Sequence, residues 1–198
     1  MAKIGVLALQ GDFLEHIEVL QRLGAEAVSV RLPQELMGLD GLIMPGGEST
    51  SIGRLMALNG LFTPIKGLAG EGFPIWGTCA GMILLAKRVA GLKLDPLGVM
   101  DIEVRRNAFG RQVDSFEVDL DIPALGELPF RAIFIRAPWI EGVGDGVEVL
   151  ARLSNGIAVA ARQGNRLASA YHPELTRDPR FHAYFLNMVN PPKGGSPS

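Results

Sequence analysis

A cysteine between two glycines is the pattern in this sequence with the clearest chemical meaning. Cys79 lies in residues 77–81, Gly-Thr-Cys-Ala-Gly, directly after a short apolar run. The pattern fits a strand–turn–helix nucleophile elbow in which cysteine takes the place of serine. Glycines beside so sharp a turn avoid collisions with neighbouring backbone, and the N-terminus of the following helix favours the nucleophilic thiolate. We predict that Cys79 is a nucleophile; the alternative is a buried, inert thiol.

A histidine and a glutamate two residues apart offer the groups that such a nucleophile needs. His172 and Glu174 follow a predicted strand near the end of the chain. In a Cys–His–carboxylate triad the thiolate attacks, the imidazole moves the proton and the carboxylate fixes the tautomer. A His-x-Glu pair alone is more often an ordinary surface loop, but together with the elbow it favours a triad. His16 and His182 are expected to be ordinary, partly exposed residues.

Two consecutive glycines, Gly46 and Gly47, follow another apolar run. They can turn backbone N–H groups toward one oxygen atom and form an anion-binding nest. Near a thiolate this nest would be an oxyanion hole, in which one donor is worth about two to three orders of magnitude in rate. The alternatives are a phosphate-binding loop or a simple turn, but the phosphate-loop motif is missing and Glu48 would repel a phosphate. Ser49 or Thr50 is predicted to cap the following helix.

Arginines cluster in residues 105–111 and recur at Arg136. Beside a cleft they suit recognition of a carboxylate. A solvated basic face is the default for any one of them, and spacing alone does not decide between the two.

Composition narrows the class of protein. The 198 residues carry a formal net charge of −2, which makes a nucleic-acid partner a poor hypothesis. A single cysteine excludes an internal disulfide and a Cys-rich zinc site, and three histidines leave little for a His-based metal site. The first apolar run is too short to span a membrane and lacks a cleavage region. We therefore expect a cytoplasmic protein with no membrane association.

The elements that must position these residues alternate between strands and helices. The first ninety or so residues are predicted as strand, helix, strand, strand, helix, strand, helix, with Asp12 as the N-cap of the first helix and Gly24 ending it. This order predicts a parallel sheet covered on both faces. Sites in such sheets lie at the carboxyl ends of strands, so Gln10, the two glycines of the nest and Cys79 should meet at one edge.

The second half is predicted to be antiparallel, and it either extends the same sheet or packs beside it. Short strand-like runs from residue 97 onward are separated by turn signals, of which Asn155-Gly156 is a strong hairpin signal. Residues 181–189 are predicted as a last helix. We expect one domain over residues 1–190 and a flexible tail over residues 191–198, which is rich in Pro, Gly and Ser.

Five segments together resemble one known family closely. They are residues 5–11 (Gly-Val-Leu-Ala-Leu-Gln-Gly), 45–50 (Pro-Gly-Gly-Glu-Ser-Thr), 77–81, 106–116 (Arg-Asn-Ala-Phe-Gly-Arg-Gln-Val-Asp-Ser-Phe) and 172–174 (His-Pro-Glu). The family is the glutaminase subunit of pyridoxal 5′-phosphate synthase, a triad (class I-type) glutamine amidotransferase. The elbow and the His-Pro-Glu segment mark only the wider amidotransferase group. Residues 45–50 and 106–112 narrow the resemblance to this member.

The resemblance implies a fold and a set of site residues. The fold is an α/β three-layer sandwich with a central, mostly parallel sheet, which is flavodoxin-like and is extended by antiparallel strands in the C-terminal half. The implied catalytic residues are Cys79, His172 and Glu174, and Gln10 is placed near the oxyanion site and the partner surface. The implied glutamine-binding residues are Gly46, Gly47, Glu48, Ser49, Arg106, Ile135 and Arg136.

The resemblance also implies an activity and a partner. L-glutamine is hydrolysed to L-glutamate and ammonia through a cysteine thioester, without a metal or an organic cofactor. Ammonia passes to a separate synthase subunit that makes pyridoxal 5′-phosphate, in a large hetero-oligomer of twelve plus twelve subunits, and the lone glutaminase is poorly active. The alternatives are a glutaminase of another pathway, a γ-glutamyl hydrolase, or a non-catalytic binding module in which Cys79 senses oxidation.

Overall fold

A ten-stranded mixed sheet organises the computed structural model, which describes residues 1–91, 95–106 and 115–191. The strands of this chain are β1 (Lys3–Leu7), β2 (Glu26–Val30), β3 (Gly41–Met44), β4 (Ile75–Thr78), β5 (Ala86–Ala90), β6 (Met100–Arg105), β7 (Ser115–Leu120), β8 (Phe130–Ile135), β9 (Trp139–Val143), β10 (Glu148–Arg152), β11 (Ala158–Gln163) and β12 (Arg166–Ser169). The helices are α1 (Phe13–Arg22), α2 (Ser49–Leu58), α3 (Phe62–Gly70), α4 (Ala80–Leu85) and α5 (Arg180–Val189). No helix within these ranges is long and apolar enough to cross a membrane.

The strand order is β2-β1-β3-β4-β12-β11-β9-β6-β5, with β10 paired to β11. The five strands from β2 to β12 run parallel to one another. Pairing then turns antiparallel through β11, β9 and β6, while the outer pair β5–β6 is again parallel. Strands β7 and β8 form a separate antiparallel pair. The predicted α/β class, a mostly parallel sheet extended by antiparallel strands, is confirmed.

Helices cover both faces of the sheet around β4. Side chains of a strand alternate between the two faces, so Trp76 and Thr78 point to one face and Gly77 to the other. Trp76 contacts Phe181 and Phe185 of α5 on the first face. On the second face a Cβ on Gly77 would lie 2.5 Å from the backbone of α4, so only glycine permits this packing. The result is the expected three layers.

All four strands of the predicted parallel half, β1 to β4, are present, and β12 joins them as a fifth. The sequence predicts this strand in the antiparallel half, whereas the structure places it parallel to β4. The turn at Gly164 and Asn165 returns the chain from β11, and the Asn165 carbonyl accepts a hydrogen bond from the Ile75 amide at 3.0 Å. Consequently β12 ends at the same edge as β4, which matters for the site described below.

Three elements were not predicted: α3, β5 and β9. Gly67, Gly70 and Pro64 obscure the helical pattern of α3, which buries Ile65 and Ala69. Strand β5 follows directly because α4 ends after six residues and Ala86 already adopts an extended conformation. The hairpin predicted at Asn155-Gly156 is confirmed between β10 and β11, and the last helix is confirmed as α5. Residues 192–198 of the predicted tail lie outside the described residues.

Candidate active site

Cys79 occupies the turn between β4 and α4 with a backbone conformation that is rare for any residue except glycine. Its φ is +47° and its ψ is −102°. The turn is anchored, because the Cys79 amide donates to the Ser169 carbonyl at 2.8 Å and a Cβ on Gly81 would collide with the backbone carbonyl of Met44. Such strain persists only where the surroundings impose it, and it is concentrated at functional sites. The predicted elbow is therefore present.

His172 and Glu174 lie just beyond β12, at the same edge of the sheet. Glu174 belongs to a short 3-10 turn (Pro173–Leu175), and the His172 amide is held by the Ile133 carbonyl of β8 at 2.9 Å. Nδ1 of His172 lies 2.7 Å from Oε1 of Glu174. Both residues are almost fully buried. This short contact in a low-dielectric environment is a strong charge-assisted hydrogen bond.

The surroundings make the His172 imidazole unusually basic. Burial by itself lowers the pKa of His172, but hydrogen bonds with Asp12, Cys79 and Glu174 outweigh it and raise the pKa to about 12. Burial raises the pKa of Glu174, and the hydrogen bond and charge of His172 oppose that rise. The structure therefore brings the thiol, the imidazole and the carboxylate together at one edge of the sheet.

Of the two glycines of the predicted nest, Gly46 lies against the imidazole and Gly47 against Gln10. A Cβ on Gly46 would collide with the ring of His172, so only glycine allows the ring to sit there. Gly47 has a φ of +148°, and a Cβ on it would lie 2.6 Å from Oε1 of Gln10. That oxygen accepts the Glu48 amide at 2.7 Å, so Gln10 fixes the end of the nest.

The cap of α2 is Glu48, and the predicted cap at Ser49 or Thr50 is wrong. The Glu48 carboxylate accepts the backbone amides of Thr50 and Ser51 at 3.0 and 2.7 Å. Partial burial raises its pKa, but the bonds from Ser51 and Thr50 outweigh this and lower the pKa to about 2. Because the Glu48 side chain caps these two amides, the helix begins at Ser49, which is buried. Nη2 of Arg106 lies 3.4 Å from Oε1 of Glu48.

A cavity of about 410 Å³ opens over the elbow. Its lining combines the nucleophile and the histidine with charged groups of both signs and with an apolar wall. The lining residues are Gln10, Gly11, Asp12, Gly47, Glu48, Ser49, Cys79, Ile83, Arg106, Ile135, Arg136, Pro138 and His172. Of the predicted site residues, only Gly46 and Glu174 are outside this lining, and both contact His172. Residues 107–114 of the arginine-rich motif lie outside the described part of the chain.

Three residues at this edge were missed or misjudged. Asp12 occupies the N-cap position of α1 but makes no capping hydrogen bond; instead its Oδ2 lies 3.4 Å from Nδ1 of His172. His16 and His182 were expected to be partly exposed, which is wrong, because both are fully buried. The helical spacing of His16 relative to Leu20, on the apolar face of α1, was the available signal.

One group of possible metal ligands occurs in the described ranges. It consists of Asp12, His172 and Glu174, whose ligand atoms lie within 4.8 Å of one another. Ligand atoms about 2.0–2.1 Å from a tetrahedral zinc ion stand about 3.3 Å apart. The 2.7 Å between His172 and Glu174 is too short for that and suits a shared proton.

Fold and site together define a class of α/β proteins, in which a cysteine elbow and a His–Glu pair meet at the carboxyl edge of parallel strands. The chain belongs to the SNO glutamine amidotransferase family, whose model matches residues 6–191. It is 59% identical to "Pyridoxal 5'-phosphate synthase subunit PdxT" of Herpetosiphon aurantiacus, over 93% of this chain and 99% of that protein. The protein of the same name from Pelotomaculum thermopropionicum is 61% identical over 93% of each chain.

Solved structures agree with this family. A crystal structure of a glutamine amidotransferase matches with a TM-score of 0.89 and 53% identity, covering 94% of this chain and 98% of that chain. The structure of PurLQS from Thermotoga maritima matches with a TM-score of 0.73 at 18% identity, covering 95% of this chain and 99% of that one. The second match shows the shared fold alone.

Proposed function

We propose that this chain is the glutaminase subunit of a pyridoxal 5′-phosphate synthase. It hydrolyses L-glutamine to L-glutamate and ammonia and supplies the ammonia for pyridoxal 5′-phosphate biosynthesis. Family membership and relatives of that name at 59% and 61% identity support this function. The observation that carries it is the buried 2.7 Å pair of His172 and Glu174 facing the Cys79 elbow.

Cys79 is the proposed nucleophile. His172 hydrogen-bonds Cys79 and takes up its proton, and the resulting thiolate attacks the side-chain amide carbon of glutamine. A C–S bond forms, and the carbonyl oxygen becomes an oxyanion held by backbone donors of Gly46 and Gly47 and by the Ala80 amide. The Ala80 amide is available because the first N–H groups of a helix have no intrahelical acceptor.

His172 then gives its proton to the amide nitrogen, the C–N bond breaks and ammonia leaves. A γ-glutamyl thioester remains on Cys79. Water attacks this thioester, and His172 takes up a proton from the water. The C–S bond then breaks, which releases glutamate and leaves Cys79 as a thiolate beside protonated His172. Glu174 keeps the proton of His172 on Nδ1 and leaves Nε2 to serve the reacting groups.

The cavity supplies partners for the two charged groups on the α-carbon of glutamine. The guanidinium of Arg106 or Arg136 would bind the α-carboxylate, and the Glu48 carboxylate, ionised at neutral pH, would bind the α-ammonium. Ile135 and Ser49 complete the proposed binding surface, and Gln10 orders the Gly47 segment next to it. A volume of about 410 Å³ is sufficient for one amino acid.

The partner is a synthase subunit that receives the ammonia, and the assembly contains twelve copies of each subunit. We place the protein in the cytoplasm, where a reducing environment preserves a thiol nucleophile. The mechanism needs neither a metal nor an organic cofactor. Residues 1–190 act as a single domain, supported by one buried apolar cluster that extends from Ile4 to Phe185.

The test is glutamate release from L-glutamine with and without a synthase subunit, together with pyridoxal 5′-phosphate formation. We expect the synthase subunit to raise glutamate release and pyridoxal 5′-phosphate to form from glutamine. Cys79→Ser should abolish both. Glutamate release that never yields pyridoxal 5′-phosphate would point to another pathway or to a γ-glutamyl hydrolase. Oxidation-sensitive binding without any amide hydrolysis would point to a redox-sensing module.

A further inference from the structure

Two buried histidines continue the row of polar side chains inward from the proposed triad. Oε1 of Glu174 faces His172, and its second oxygen, Oε2, lies 3.3 Å from Nε2 of His16. On the other side of the His16 ring, Nδ1 lies 2.9 Å from Nε2 of His182. All four side chains are at least 95% buried. The mechanism described above uses neither His16 nor His182.

The rings of these two histidines are fixed by the helices and the strand around them. His16 reaches inward from α1, where its Nε2 also lies 3.3 Å from the Thr78 hydroxyl of β4. His182 reaches inward from α5. Both rings pack against Trp76 in edge-on geometry, with centroid distances of 5.6 and 4.9 Å. A ring held in this way can position another group.

Within the described ranges, one carboxylate oxygen of Glu174 lacks an aligned hydrogen-bond donor, and His16 is placed to supply one. Among the described residues, Oε2 of Glu174 makes no aligned hydrogen bond, although the atom is buried. Buried polar atoms in proteins are nearly always hydrogen-bonded. Hydrogen bonds of a catalytic group are often long or poorly aligned without substrate and tighten when it binds. The 3.3 Å approach of His16 Nε2 is the contact that would tighten.

The direction of the proton between the two histidines follows from the atoms that lack partners. Nδ1 of His182 is buried without a hydrogen-bond partner in the described part of the chain. A bare lone pair there costs less than an unpaired N–H, so the proton of His182 belongs on Nε2, which donates to Nδ1 of His16. The single proton of a neutral His16 must then be on Nε2, which lies 3.3 Å from both the Thr78 hydroxyl and Oε2 of Glu174.

Neutral rings suit this arrangement. Burial lowers the pKa of His16 well below its usual value, and the charges of His182 and His172 lower it further. Burial, with a smaller contribution from Arg22, lowers the pKa of His182 to about 3. A neutral N–H donor steadies the Glu174 carboxylate without cancelling the negative charge that His172 requires.

We infer that His16 is a positioning residue for the reaction: its Nε2–H holds the second oxygen of Glu174, and His182 selects the His16 tautomer that makes this possible. The inference deepens the proposed function and rests on it, because Glu174 is the carboxylate of the proposed relay. In this arrangement His182 donates to His16 and His16 donates to Oε2 of Glu174, whose Oε1 accepts from Nδ1 of His172.

The test compares two side chains of nearly equal shape at position 16. Gln keeps an N–H donor near Nε2 and an acceptor for His182, whereas Met has neither. With the synthase subunit present, His16→Met should lose about 10- to 100-fold in kcat for glutamate release, as expected for the loss of a hydrogen bond to a charged group. KM for glutamine should change less than twofold. His16→Gln should stay within about threefold of the parent.

Two readouts do not depend on glutaminase activity. ¹⁵N NMR of the unsubstituted chain should show His16 neutral and protonated on Nε2. Alkylation of Cys79, the only thiol, by iodoacetamide at pH 7 should slow about tenfold in His16→Met and little in His16→Gln. A failure of the proposed function would show as an absence of glutaminase activity in the unsubstituted complex and would leave these two results intact.

The inference is overturned if His16 carries its proton on Nδ1, or if the Met and Gln variants behave alike in both kcat and alkylation. Equal losses would mean that the ring only fills space. If His16→Met does not fold, His16→Asn replaces it, because an Asn amide corresponds to Nδ1 and is too short to reach Glu174. His16→Asn should then lose activity while His16→Gln keeps it, and equal activities overturn the inference.

Discussion

Replacing Glu174 with Gln removes one charge from the proposed relay and almost nothing else. Gln has the volume of Glu, and position 174 is buried in a short turn. The negative charge that now lies 2.7 Å from Nδ1 of His172 disappears. If the amide turns its NH2 group toward His172, the imidazole must also adopt the wrong tautomer.

The expected loss can be worked from the geometry. Two unit charges about 4 Å apart attract each other by about 4 kcal/mol at an effective dielectric constant of about 20. Asp12 retains part of this attraction, since its Oδ2 lies 3.4 Å from the same nitrogen of His172, but its side chain is 40% exposed and therefore screened. A net loss of about 3–4 kcal/mol in transition-state stabilisation corresponds to about 100- to 1,000-fold in kcat.

The assay is glutamate release at saturating glutamine with the synthase subunit present, and urea unfolding monitors the fold. Glu18→Gln, on the exposed side of α1, is the matched control and should leave kcat unchanged. Unfolding of Glu174→Gln should stay cooperative. A Glu174→Gln variant within threefold of the parent in kcat would refute the assignment and make Asp12 the orienting carboxylate.

Three further changes test the glycines and the helix cap. Gly46→Ala places a Cβ against the His172 ring, so glutamate release should fall at least about 100-fold with unfolding little changed; equal activity would contradict the close packing. Gly81→Ala pushes α4 against a β3 carbonyl, and urea unfolding should show a loss of about 1–3 kcal/mol. Glu48→Gln weakens the cap of α2 by about 0.5–1 kcal/mol at pH 7. Because the pKa of Glu48 is lowered to about 2, this stability is present above pH about 4.5 and is lost as the pH falls toward 2. The difference between parent and variant in urea unfolding should therefore shrink below pH 4.5, and a constant difference would contradict the cap.

Features with a short-range signature could be predicted from the sequence. The elbow depends on glycines within two residues of Cys79, and the His172–Glu174 pair on a two-residue spacing. The alternation of strands and helices then predicted that Gln10, the two glycines of the nest and Cys79 meet at one edge, because parallel strands end together. The helix stop at Gly24 is of the same kind, and its φ is +81°.

Features decided by distant neighbours could not be predicted. A hairpin signal predicts that β11 and β12 pair, but it carries no information that β12 also lies parallel to β4. The burial of His16 and His182 depends on α1 and α5 meeting over Trp76, which is at least 60 residues from either histidine in the sequence. At the cap of α2, local preference favoured Ser or Thr, whereas the longer Glu48 side chain reaches the amides of Thr50 and Ser51 and also meets Arg106.

Labelling by an electrophilic glutamine analogue tests the central claim most directly. In the presence of the synthase subunit, intact-mass spectra should show one adduct per chain, peptide mapping should place it on Cys79, and L-glutamine should prevent it. Labelling should slow in parallel with kcat in Glu174→Gln. The account is contradicted if the complex forms no adduct, or if the adduct forms at the same rate with and without glutamine.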